Sequence, residues 1–131
     1  MRRLALEAEL ARLSPFFGEA WLSRVRLRPL PPPLPLVAGL TLGRTVLLSR
    51  RWFAPDPLPL LFHELVHVAQ YERLGAARFL WRYFLGWLRG GCRYRRIPLE
   101  AHAFDLQARF MEDRGRAFRV AGEVEARLAA Y

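Results

Sequence analysis

The chain has 131 residues, 53% of them hydrophobic, which suits one domain over 1–131 with a real core and leaves no room for a second. Its single cysteine, Cys92, excludes an intramolecular disulfide and any cysteine-based metal cluster, so a metal site must use histidine and carboxylate. The net charge of +9 comes from arginine alone, lysine being absent; it suits nucleic acid or an anionic membrane surface without choosing between them.

Arg2 and Arg3 are followed by Glu7 and Glu9 before any apolar run develops, so no cleavable signal is expected and cytoplasmic location is the default. Leu6, Leu10 and Leu13 recur at helical spacing, which predicts a short amphipathic helix over 3–13 that stops near Ser14-Pro15. Val25-Arg26-Leu27-Arg28 alternates as a one-sided strand does. The proline run from Pro29 to Pro35 reads as a stiff extended connector. Residues 36–50 are rich in Val, Leu and Thr, and Gly43-Arg44 marks a hairpin turn between two short strands, giving a small antiparallel sheet.

The next helix is delimited from both ends, by Asp56 as N-cap with Pro57 in the first turn, and by Gly75 after Leu74. It carries His63-Glu64-Leu65-Val66-His67. With about 3.6 residues per turn, side chains four apart share a face, so His63 and His67 can offer nitrogens to one ion. Glu64 projects roughly 100° around the helix, placed to take a proton from water at the metal rather than to bind the metal. Leu60, Leu61, Leu65, Val66, Val68 and Ala69 surround these groups, and buried polar groups need partners.

Residues 76–89 form a further helix in which Arg78, Arg82 and Arg89 share a narrow face and aromatic or leucine residues cover the rest. It reads as a core helix with a solvated arginine stripe, while its wide apolar face also suits a peripheral membrane contact or a partner surface. After Gly90-Gly91, another helix starts at Pro98 and runs to about Asp113; Val120, Val124 and Leu128 mark a last one. Cys92 between them reads as a small buried or half-buried thiol. The fold class is α+β, mostly helical, with its few strands before the motif helix.

A catalytic zinc commonly takes three protein ligands and leaves a position for water, so one more donor is needed. The tenth residue after His63 is Arg73, which excludes a third histidine on the same segment. On the helix that starts at Pro98 the donors are Glu100, His102 and Asp105. Glu100 is preferred because it lies in the first turn among small or apolar neighbours and completes a two-histidine, one-glutamate set. His102 stays as the alternative; it lies about 200° around the helix from Glu100, so both cannot face one ion.

His63-Glu64-x-x-His67 with a downstream glutamate resembles the gluzincin branch of zinc metallopeptidases. The stretch from Gly43 through His67-Val68-Ala69-Gln70-Tyr71-Glu72-Arg73-Leu74-Gly75, closing with Tyr94, Pro98, Leu99 and Glu100, is similar to small bacterial HExxHxxQ metallopeptidase domains. The resemblance implies a zincin-like fold, His63, His67 and Glu100 as zinc ligands, and Glu64 as general base. In thermolysin-like gluzincins an aspartate four residues beyond the ligand glutamate supports the first histidine; here that position is Phe104, so the outer shell must differ. Gln70 is a candidate for it.

The expected activity is zinc-dependent hydrolysis of a peptide or protein substrate, with Tyr71, Tyr94 or nearby arginines as oxyanion donors and the strand over 45–49 as a template for an extended substrate. The alternative is a non-catalytic zinc-containing module that binds nucleic acid or an anionic membrane surface, which would place the protein peripherally at a membrane.

Overall fold

The first helix stops just before Ser14-Pro15, as expected, and a new helix starts there. The structure, a computed structural model, describes residues 8–29, 39–49 and 56–130. Residues 8–11 are helical; after a turn at 12–13, α1 (Ser14–Phe17) begins with Pro15 in its first turn, where a missing N–H costs nothing. Gly18 separates it from α2 (Glu19–Leu22), a short helix that no sequence periodicity announces. The beginning of the predicted 3–13 helix and most of the proline connector lie outside the described residues.

Three strands follow: β1 (Arg26–Pro29), β2 (Gly39–Leu42) and β3 (Thr45–Leu48). The predicted hairpin is present, with Gly39 opposite Leu48 and Leu42 opposite Thr45 around Gly43-Arg44, and φ of 63° at Gly43. The sheet, however, is mixed rather than antiparallel, because β1 joins the far side of β3 in parallel, Arg26 opposite Thr45. Its order β1-β3-β2 leaves β3 central and β2 at an edge. Parallel pairing needs a long crossover, so no local turn signal announces it.

The motif helix, α3 (Leu58–Leu74), is buried from Leu61 through Tyr71. Pro57 occupies the cap position, and Asp56 Oδ1 accepts the Leu58 N–H at 3.1 Å, so the predicted capping side chain acts from one residue further out. Gly75, at φ 81° and ψ 157°, ends α3 through its N–H to the Tyr71 carbonyl at 2.7 Å and starts α4 (Ala76–Arg89) through its own carbonyl to the Phe79 N–H at 3.0 Å. One residue thus makes the whole turn between two helices, in a conformation that side chains resist. Gly75→Ala should lower stability by roughly 1–3 kcal/mol in chemical denaturation with α-helix content retained, because a Cβ there meets open space and the cost is backbone alone.

After α4 the chain reverses through Gly91 and Cys92, both at positive φ (69° and 62°), before a 3-10 turn, Tyr94–Arg96. Cys92 is exposed, contrary to the expectation of a half-buried thiol, because the reversal aims its N–H back at the Trp87 carbonyl (2.8 Å) and its side chain away. The chain closes with α5 (Pro98–Glu112) and α6 (Val120–Ala129), which buries Val120, Val124 and Leu128 as predicted.

α3 packs against α4, α5, α6, β2 and β3, which makes it the axis of the molecule. At its N-terminal half Phe62 stacks on Phe110 of α5 at 4.6 Å, and Phe16 meets both edge-on at 5.6 and 5.1 Å. This aromatic cluster fixes α5 against α3 and so sets where the first turn of α5 can reach.

Candidate metal centre

His63 and His67, one turn apart on α3, direct their Nε2 atoms at the same Glu100 oxygen, Oε1, at 2.8 and 2.9 Å. All three side chains are buried, and their donor atoms lie within 4.8 Å of one another. Glu100 reaches them because Pro98 starts α5 two residues earlier, which puts a carboxylate in the first helical turn beside α3.

The outer shell fixes which histidine nitrogens face inward. Gln70 donates its Nε2 to the Leu99 carbonyl at 3.0 Å, so its Oε1 is the atom facing His67 Nδ1 at 2.8 Å and accepts that N–H. Gln107 Oε1 stands 2.9 Å from His63 Nδ1 and accepts likewise. Each Nδ1 therefore carries a proton, which leaves each Nε2 as the atom that meets the Glu100 oxygen, through a shared proton or through a metal ion. Three acceptors converging in a buried space require a cation among them, either protons or a metal ion. Two imidazoles with one carboxylate, each held by an outer partner, form a donor set that suits a divalent transition metal, zinc included.

The electrostatics agree with this. Burial alone would raise the Glu100 carboxyl, but hydrogen bonds from His63 and His67, the charge of His67 and the Tyr83 hydroxyl hold it far below the usual carboxylate range. Burial would lower His67, yet its hydrogen bond to Glu100, the charges of Glu100 and Glu64, and Gln70 raise it. Tyr83 donates to Glu100 Oε2 at 2.7 Å, and its own ionisation is pushed up by burial and then by Glu100.

Glu64 stands apart from the cluster. Thr41 Oγ1 on β2 lies 2.9 Å from Glu64 Oε1 and 3.1 Å from the Glu64 backbone oxygen, tying the sheet edge to the motif helix. Burial raises the Glu64 carboxyl above its ordinary value, against the pull of His67, His63 and Thr41. Two cavities flank it, of about 460 and 340 Å³, and Gly39, Glu64 and Tyr94 line both. A Cβ at Gly39 would stand 3.1 Å from Glu64 Cδ, so only glycine leaves that carboxylate undisturbed at the junction.

His102, the alternative donor, does not join the cluster. It is buried on the other side of α5, facing Arg127 and Glu123 of α6, and its Nδ1 meets no hydrogen-bond partner among the described residues. Asp105 is exposed and pairs with Arg127 at 3.6 Å. Burial first, and then the Arg127 charge, push the His102 pKa down to about 4 from 6.5. The folded protein thus binds this proton more weakly than the unfolded chain, so stability is full above pH 6.5 and is lost as pH falls toward 4. His102→Leu should remove roughly 2 kcal/mol of the stability difference between pH 7.5 and 4.5 measured by urea unfolding.

Gly39 and Thr41 on β2, Tyr83 on α4 and Gln107 on α5 escape sequence reasoning because they meet the motif helix only through tertiary packing. Tyr71, considered as an oxyanion donor, stacks on Phe79 at 3.7 Å and is mostly buried. The strand over 45–49 cannot template a substrate, because β3 has partners on both edges; among the described residues β2 has one edge without a strand partner. No family model matches the chain, and no curated protein or solved structure matches it.

Proposed function

We propose that the chain is a zinc-dependent peptidase of gluzincin type with a zincin-like fold, in which His63, His67 and Glu100 hold the metal and Glu64 is the general base. The observation that carries this reading is the convergence of three buried donors on one point while a fourth buried group, Glu64, is held by Thr41 at the junction of two cavities. When bound, the ion polarises a carbonyl and makes water acidic enough to attack near neutral pH. Glu64, its carboxyl raised by burial, accepts the proton of the attacking water and passes it to the leaving amine. Tyr94, half exposed on the wall of both cavities, keeps its hydroxyl proton, since partial desolvation on the cavity side and then Glu100 push its ionisation up, and donates to the oxygen that gains charge. The edge of β2 that has no strand partner among the described residues pairs with an extended peptide beside Glu64.

Metal analysis of the purified protein, combined with cleavage of a peptide library before and after chelation, tests the reading. About one zinc per chain and chelator-sensitive cleavage are expected. Stoichiometric zinc without cleavage of any peptide would leave a binding site and overturn the hydrolase.

A further inference from the structure

α4 is turned the opposite way from a core helix. Its buried side is narrow, Phe79 and Gly86 with half-buried Tyr83, while Leu80, Trp81, Phe84, Trp87 and Leu88 are 39% to 61% exposed. At about 100° per residue these five cover a continuous sector about 120° wide. Arg78 and Arg89 lie beyond one margin of that sector, with Arg82 next to them. The expectation of a core helix with a solvated arginine stripe is thus reversed, since the helix shows the solvent its apolar face as well as its charges.

The surrounding chain is one-signed. Between Glu72 and Glu100 there are seven arginines and no acidic residue. Beside the arginine margin, a groove of about 880 Å³ between α4 and the start of α5 combines Arg82, Arg89 and Arg96 with Trp81, Leu85 and Pro98. Cationic heads over an apolar floor are complementary to an amphiphile with an anionic headgroup, and no acidic side chain among the described residues lines the groove. A helix of 14 residues is about 21 Å long, too short for a hydrocarbon core of about 30 Å, and no helix among the described residues is long and apolar enough to cross a membrane. Indole rings beside arginines are the composition of a helix lying in the headgroup plane.

We propose that α4 seats the protein on an anionic lipid bilayer, with Trp81, Phe84, Trp87 and Leu88 in the interface and the adjoining arginine groove on lipid phosphate. Leu80 belongs both to this face and to the wall of the larger cavity beside Glu64, and Leu40 and Leu42, also exposed, continue that wall. Docking would therefore bring the cavity mouth to the membrane surface. On the hydrolase reading this selects membrane-proximal peptide segments as substrate; the docking itself does not depend on that reading.

Flotation of the full chain with vesicles of phosphatidylcholine, alone or mixed with phosphatidylglycerol, tests the proposal. Binding to the mixed vesicles should exceed binding to phosphatidylcholine by at least about 10-fold and fall as salt is raised. R78Q/R89Q should weaken it by about 10- to 30-fold, and F84S/W87S by at least as much, with both variants keeping the wild-type melting temperature within a few degrees. Equal binding to both vesicles, or none, overturns the proposal. So does a dimer that F84S/W87S dissociates while vesicles are ignored, or retention on duplex DNA lost in R78Q/R89Q without any lipid binding. Because flotation needs no peptide cleavage, its failure is separable from failure of the peptidase assay.

Discussion

Glu64→Gln should abolish most hydrolysis while leaving zinc content unchanged. The amide keeps the shape of the carboxylate and can still meet Thr41 from its oxygen, so the contact between β2 and α3 is preserved. It cannot accept a proton, however, and general-base catalysis contributes about 10²- to 10⁴-fold. The expected result is a loss of kcat of that size at full metal occupancy. A variant that retains zinc and full activity would show that another group takes the proton.

Glu100→Ala is expected to have the largest effect on the molecule as a whole. The wild-type carboxylate is approached by His63 Nε2, His67 Nε2 and the Tyr83 hydroxyl, all within 3 Å. Removing it strands two buried imidazoles, one of which (His67) owes its raised pKa to it, and the half-buried Tyr83 hydroxyl, which costs about 3–5 kcal/mol when one side of a buried pair is lost. Metal binding should fail as well, since two imidazoles alone do not make a catalytic site. His102→Leu, by contrast, should keep zinc. Zinc lost with His102→Leu and kept with Glu100→Ala would reverse the ligand assignment.

The helices were legible where chain-breaking residues flank them: Pro57 and Gly75 bracket α3, Gly75 and Gly90 bracket α4, and Pro98 opens α5. His63, Glu64 and His67 were legible because their spacing is a property of one helix. Glu100 needed only the further step of asking which downstream helix could present an inward carboxylate. The rest depends on pairings that no local pattern encodes. The parallel partner of β3 lies across a proline-rich connection, and Gln107 reaches His63 from 44 residues away. The direction of α4 was illegible for a different reason: an amphipathic pattern says that two faces differ, not which one meets the core. The three residues that decide it, Phe79, Tyr83 and Gly86, are an ordinary minority in an apolar helix.

Gln70 has a mechanical consequence. Its oxygen orients the His67 ring, while its nitrogen is fastened to the Leu99 carbonyl, the residue directly before Glu100. The amide is a strut of fixed length between the helix that bears two donors and the helix that bears the third. If α5 slides or tilts against α3, the strut rotates the imidazole as the carboxylate moves, so the centre works as a strain gauge for the packing of the two helices. The visible absorption of a cobalt-substituted protein would then read out helix displacement long before the fold itself melts.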